Sequence, residues 1–141
     1  MKDATQPTTT IPTKAVDDFL VPFPPEVREL ALVTRSFVLK IVPKLEERAD
    51  IKGRIIGYSY GPKYIDMVCM IMPTKAGVNL GIAYAMKLPD PKKLLTGTGK
   101  LHRHVKLKGP SDLKSPALKS LLKAASAAAI VRGETTGKKS K

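Results

Sequence analysis

The chain has 141 residues, of which 43% are hydrophobic. That length fits one domain of ordinary size, and that share of apolar side chains suffices for a core, so wholesale disorder is excluded. No apolar run is long enough to span a bilayer, no charged-then-apolar signal opens the chain, and the single cysteine cannot form an internal disulfide. These features predict a cytoplasmic protein.

Positive charge is concentrated in the last third of the chain. Lys and Arg number 25 against 12 Asp and Glu, which gives a formal net charge of +13. Residues 91–141 hold 13 of the basic side chains and only 2 acidic ones, Asp112 and Glu134. Such a field attracts an anionic small molecule or a polyanion, so nucleic acid is a candidate partner for this basic third. The aromatic content of 5% argues against base stacking.

The N-terminal part predicts a flexible lead-in followed by helix. Residues 1–13 are rich in Thr and Pro and carry almost no apolar side chains, so they are expected to be flexible. Val16–Leu20 is expected to form a short helical turn. Pro24 suits the start of a long helix, because apolar residues then repeat at helical spacing until Pro43 ends it.

The middle of the chain predicts strands. The charged run 44–52 is interpreted as a surface connector. After it the helical period gives way to strand-like apolar runs separated by turn residues. Residues 78–86 alternate, whereas residues 65–72 are apolar on both faces apart from Asp66, which predicts a central strand. Four strands are predicted, at residues 54–60, 64–72, 78–86 and 101–107.

The C-terminal part predicts two further helices. Asp90 is expected to cap a short helix over 90–95, and Ser115 a final helix that begins at Pro116. Residues 131–141 are predicted to be a basic, disordered tail, which places the folded domain at 14–130. The fold class is α+β: a two-layer sandwich in which an antiparallel sheet of about four to five strands is packed by an N-terminal and a C-terminal helix.

The segment GTGKLHRH contains the residue types of a phosphate loop, but the spacing fails. Leu94 stands where such a loop needs glycine, and Leu101 where it needs Ser or Thr. A tight turn is therefore the simpler interpretation, although backbone amides with Lys100 and Arg103 would also form a weaker anion site.

Other chemistry has weaker support. His102 and His104 share one strand face with Lys106, yet a zinc site needs more ligands, and the neighbouring cations repel a metal. Cys69 lies in an apolar strand, where a thiol is buried and inert, so a catalytic Cys69–His104 pair is disfavoured. No catalytic signature is present. The sequence predicts binding without catalysis and without a cofactor.

Carboxylates are the remaining candidate ligands. Glu26 and Glu29 lie one turn apart on the same side of the first long helix, where they would form an acidic ridge for iron. In the competing interpretation, these two acidic side chains near the start of the helix only complement its macrodipole.

The stretch from residue 79 to residue 107 contains the motifs Asn79-Leu80-Gly81, Asp90-Pro91, Leu94-Leu95, Gly97-Thr98-Gly99-Lys100 and Arg103-His104-Val105-Lys106. With these motifs it resembles the YdhG-like family of small bacterial domains. The resemblance covers about residues 15–128. This chain departs from the family pattern at Ile82, where members often have an aromatic residue, and at Gly77, where many have His.

The resemblance implies a two-layer α/β sandwich and little about activity. One branch of the family is thought to act as a frataxin-like iron-binding chaperone, which gives the alternative function for this chain. Its ligands here would be Glu26, Glu29, Glu46 and Glu47. The strong positive charge argues against a cation carrier.

The leading hypothesis is a non-catalytic site for an anionic, phosphate-bearing ligand or partner, placed where the turn at 97–100 meets the following strand. Charge-assisted hydrogen bonds would come from basic side chains, with a neutral amide from the preceding strand. The predicted residues are Asn79, Lys100, Arg103, His104 and Lys106.

Overall fold

The computed structural model describes residues 13–97 and 102–140, with the backbone alone for residue 102 and residues 135–140. Within them the chain forms an α+β fold, in which helices from both ends of the chain flank one antiparallel sheet. The predicted fold class is confirmed. The helices are α1 (Lys14–Leu20), α2 (Pro25–Ile41) and α3 (Pro116–Ser140).

The sheet is a meander in which every strand is antiparallel to the next one along the chain. Because sequential antiparallel strands need only short connections, the order of the strands in the sheet follows the order of the sequence. The strands are β1 (Glu46–Asp50), β2 (Ile55–Ser59), β3 (Met67–Pro73), β4 (Val78–Ala83) and β5 (His102–Leu107).

The two faces of the sheet have different surroundings. Strand pairing aligns Ile56, Ile71, Leu80 and Val105 in one row, and these side chains share one apolar cluster with buried residues of all three helices. We call this side the helix-facing side. The opposite side, the distal face, carries the rows Gly57, Met70, Gly81, His104 and Met72, Asn79, Lys106.

Strand β1 corrects the prediction of a surface connector at 44–52. Exposure alternates along Glu46–Asp50, and Glu47 and Ala49 are the two residues that are less exposed. The strand is almost entirely charged, so its apolar alternation is too weak to read from the sequence. Pairing with β2 and burial of the Glu47 carboxylate place it at the edge of the sheet.

Glu47 links this edge strand to helix α2. Its Oε2 accepts hydrogen bonds from Arg35 Nε and from the Tyr58 hydroxyl, each at 2.7 Å. Arg35 Nη2 reaches the other carboxylate oxygen at 3.2 Å, which completes a forked contact. Arg35, which α2 buries among mainly apolar side chains, thereby has a counter-charge inside the fold.

Two strand boundaries also differ from the predictions. Residues Tyr64–Asp66 form a 3₁₀ turn, so β3 begins only at Met67. Strand β4 ends at Ala83, because Tyr84 adopts a left-handed conformation with φ of 53° and Ala85–Lys87 turn into a second 3₁₀ segment. The predicted continuation of these strands through both segments is wrong.

Asp90 caps a turn where a helix was predicted. Its two carboxylate oxygens accept the N–H groups of Leu94 and Leu95 at 2.8 and 2.9 Å. Lys93 has a φ of 54°, which a right-handed helix does not contain. The capping role of Asp90 is therefore present, and the helix over 90–95 is not.

Helix α3 runs past Val131, where a disordered tail was predicted to begin, to Ser140. Arg132 explains part of the extension, because its guanidinium donates to the carbonyl oxygens of Ile65 and Met67 at 3.1 and 2.8 Å. The same group lies 3.8 Å from the centre of the Tyr84 ring. The predicted lead-in at 1–13 lies outside the described residues except for Thr13, whose hydroxyl caps α1 by accepting from Val16 N.

Candidate anion-binding site

Three of the predicted ligand residues lie together on the distal face. Strand pairing sets Asn79 opposite Lys106 and Gly81 opposite His104. Lys106 is exposed, whereas Asn79 and His104 are half-buried. A basic side chain, an imidazole and an amide therefore share one patch of sheet.

Backbone pairing brings these side chains close. The N–H and C=O of His104 bond to Thr96 on the outer edge of β5, at 3.1 and 2.7 Å. Those of Lys106 point the same way, since alternate residues of a strand do so. Both residues are thus in non-hydrogen-bonded pairs with β4, the pairs whose side chains approach each other most closely.

The other two predicted ligands do not join this patch. Arg103 is paired with Ile82 and lies on the helix-facing side. Lys100 lies outside the described residues, as do the neighbouring positions of the glycine turn. Gly97 is the described residue of that turn, and a Cβ built on it would lie 3.8 Å from His104 Cε1, so Gly97 lies close to the imidazole.

Methionine side chains form the floor beside the patch. A Cβ built on Gly81 would lie 2.8 Å from Met70 Cγ and from Met72 Cε, so both side chains occupy the space that the glycine leaves. This methionine floor is not among the features predicted from the sequence. The alternation of Met70 and Met72 with Cys69 and Ile71 could have predicted it, because alternate residues of a strand lie on the same face.

No counter-charge accompanies the cation on these strands. Strands β3, β4 and β5 contain no Asp or Glu. On β1, at the far edge of the sheet, Glu46 is paired with Arg48 at 2.8 Å. Within the described part of the chain Lys106 has no ion pair, so its charge is available to an external anion.

Cys69 and His104 lie on opposite faces of the sheet. Cys69 is paired with Tyr58 and Ile82 on the helix-facing side, and the thiol is completely buried. Loss of hydration raises its pKa well above the ordinary range of a thiol. The geometry gives no activated nucleophile here.

The four carboxylates of the iron alternative are not one cluster. Glu26 and Glu29 are exposed on α2, whereas Glu47 is bonded to Arg35 and Tyr58. Glu46 is next to Glu47 in β1 and therefore points to the other face. Among residues 13–97 and 102–140, no group of three or more His, Cys, Asp or Glu side chains is placed to hold a metal ion.

The two departures from the family pattern have structural explanations. A Cβ on Gly77 would lie 2.6 Å from the carbonyl oxygen of Leu107, so this backbone has no room for a side chain there. Ile82 is fully buried in the helix-facing core. Neither position presents a group to the distal face.

Comparison with protein-family models, with curated proteins and with solved structures finds no match for this chain. The resemblance to the YdhG-like family therefore stays a prediction. None of the helices in the described ranges combines the length and the apolar character needed to cross a membrane.

Proposed function

We propose that this protein is a non-catalytic binding domain for an anionic, phosphate-bearing ligand. The site is the distal-face patch of Asn79, His104 and Lys106. The observation that carries the proposal is the strand register, which places these three side chains on neighbouring positions of β4 and β5. It differs from the set predicted from sequence in two residues, because Arg103 is on the other side of the sheet and Lys100 lies outside the described residues.

The chemistry of the three groups is complementary to an oxyanion. A lysine ammonium gives charge-assisted hydrogen bonds, and the amide and imidazole N–H groups orient the anion. The half-buried thioether of Met72 beside the patch suits an apolar portion of the same ligand, because methionine adapts its shape to irregular surfaces.

Nucleic acid is the polyanion to test first, because the basic residues of the C-terminal third would strengthen its binding. A cytoplasmic location and membership of the YdhG-like family are part of the same proposal. The lone buried cysteine supports the location, and the motifs between residues 79 and 107 support the family.

The test compares two anions on one set of variants. Calorimetric titration with inorganic pyrophosphate reports binding of a small phosphate ligand. Fluorescence anisotropy of a labelled oligonucleotide, between about 50 and 200 mM salt, reports binding of a polyanion. The variants are Lys106→Gln and Asn79→Ala, with Lys123→Gln, an exposed lysine of α3, as the matched control.

At least one anion should bind, and Lys106→Gln should weaken it by about tenfold while Lys123→Gln leaves it unchanged. Equal losses for the two lysine variants would mean diffuse attraction to net charge and would reject the site. A chain truncated after Glu134 measures how much the final basic residues contribute to anion binding, and it keeps the contacts of Arg132. Truncation after Ala129 would remove those contacts as well.

A further inference from the structure

A cleft separate from the distal-face patch lies at the end of the sheet where the β1–β2 and β3–β4 turns are found. Its volume is about 450 Å³. Pro22 and Phe23 form one wall, Ile51 and Arg54 the other, and Lys75 lies at the hairpin between β3 and β4. We call it the proline cleft. None of its residues belongs to the distal-face patch.

The wall made by the α1–α2 connection is held in place by hydrogen bonds. Arg28 of helix α2 donates to the carbonyl oxygens of Val21 and Phe23, at 3.3 and 2.8 Å. The rings of Phe19 and Phe23 also contact each other, with 5.9 Å between their centres. This wall is preformed, so a ligand would bind without first having to order it.

The opposite wall is a tight turn with an unusual backbone. Arg54 N donates to Ile51 O at 3.2 Å, and Gly53 N donates to the Asp50 carboxylate at 3.0 Å. Arg54 has a φ of 58°, a conformation that costs free energy for any residue with a side chain. Ile51 is 68% exposed beside it, although an isoleucine of a folded domain is usually buried.

Lys75 is carried by a hairpin that Thr74 fixes. Thr74 Oγ1 accepts from Ala76 N and Gly77 N at 3.2 and 3.1 Å, and Thr74 N donates to Gly77 O at 2.8 Å. Both charged side chains that line the cleft, Arg54 and Lys75, are cationic. Within the described residues neither has an ion pair.

We propose that the proline cleft binds a small organic acid, whose carboxylate or phosphate is held by Arg54 and Lys75 and whose apolar body packs on Phe23, Pro22 and Ile51. The volume falls in the range of small-ligand sites. An apolar wall combined with uncompensated cations selects against neutral apolar molecules and against small inorganic anions, because each satisfies only half of the site.

The probe is 8-anilinonaphthalene-1-sulfonate, an aromatic anion whose fluorescence rises when its rings leave water. The uncharged N-phenyl-1-naphthylamine is the comparison probe. Arg54→Gln and Lys75→Gln remove charge while keeping most of each side-chain stem, and Ile51→Ser removes the exposed apolar surface. Lys44→Gln and Lys123→Gln are matched controls, since both lysines are exposed and lie outside the cleft. Lys106→Gln is added as the variant that reports on the distal face.

The anionic probe should bind the unmodified protein, and each charge variant should weaken it by about tenfold. Ile51→Ser should weaken both probes, whereas the charge variants should affect only the anionic one. Decanoate should displace the probe, and decanol should do so much less well. Binding that Arg54→Gln and Lys75→Gln leave unchanged would overturn the proposal, as would equal losses in the two control variants.

The dye-binding test of the proline cleft can succeed or fail independently of the distal-face proposal. Loss of pyrophosphate binding in Lys106→Gln with retained dye binding would support two separate sites. Loss of dye binding in Lys106→Gln at wild-type stability would place the dye on the distal face and reject the proline cleft as its site.

Discussion

The Arg35 guanidinium and the Glu47 carboxylate form a forked ion pair inside the fold, with Nε–Oε2 at 2.7 Å and Nη2–Oε1 at 3.2 Å. Their side chains are only 2% and 10% exposed, respectively. Removing two charges from water is costly, and the close contact with a third bond from Tyr58 offsets that cost. The ion pair therefore holds β1 against α2, because each buried charge is stabilised by the other.

Glu47→Gln should lower the free energy of unfolding by about 3–5 kcal/mol, because it removes the carboxylate charge that faces the buried Arg35 guanidinium. Urea denaturation measures the change. Glu46→Gln is the control, since the Glu46–Arg48 pair is about half exposed and is expected to contribute at most about 1 kcal/mol. Similar effects of the two substitutions would show that the buried pair has no special role.

Stability should fall at alkaline pH. Burial raises the pKa of the Cys69 thiol, and burial with the neighbouring Glu47 raises that of the Tyr58 hydroxyl. Both groups are neutral when protonated, so the unfolded chain loses these protons at lower pH than the folded one does. The stability that these two groups contribute is complete below the unfolded thiol pKa of 9.0 and declines as pH rises above it.

Denaturant unfolding between about pH 7 and pH 10.5 measures this decline. A group ionised only in the unfolded state lowers the free energy of unfolding by about 1.4 kcal/mol per pH unit. Cys69→Ala should flatten the early part of the decline, above pH 9.0. The folded protein should also resist iodoacetamide at pH 8, and rapid alkylation of Cys69 in the native state would contradict the burial.

Gly81→Ala should destabilise the protein by about 1–3 kcal/mol, because the new methyl group would meet Met70 Cγ and Met72 Cε at 2.8 Å. Gly109→Ala is the control, since a Cβ there has nothing within 4 Å. In a double-mutant cycle measured by urea denaturation, Met70→Ala and Gly81→Ala should cost less together than the sum of their separate effects. Additive effects would mean that the two positions do not compete for space.

Arg132→Gln should lower stability by about 1–3 kcal/mol and raise hydrogen exchange in the C-terminal part of α3, because two hydrogen bonds to carbonyl groups of Ile65 and Met67 are lost. Burial lowers the pKa of Arg132. Lys123→Gln, an exposed change on the same helix, should leave both measurements near wild type. An unchanged exchange pattern in Arg132→Gln would mean that other contacts hold this segment.

Parts of the candidate site were readable from the sequence and others were not. The alternation of β5 predicts that His104 and Lys106 share a face, and the structure has them so. The same alternation puts Arg103 on the opposite face, yet its charge and its place in the family motif favoured including it. The pairing of Asn79 with Lys106 depends on the register between two strands, which no local pattern specifies.

Local patterns were enough to predict the α+β class, helix α2 and four of the strands, because the helical period, strand-like apolar runs and proline positions are local properties. The charged segment Glu46–Asp50 could be recognised as a strand only in the folded chain, since its burial depends on the contact of Glu47 with Arg35 of helix α2. The same holds for α3 beyond Val131, which is anchored by contacts of Arg132 with Ile65 and Met67. A buried charge or a helix end becomes favourable only through its partner, and the sequence does not say which distant residue that partner is.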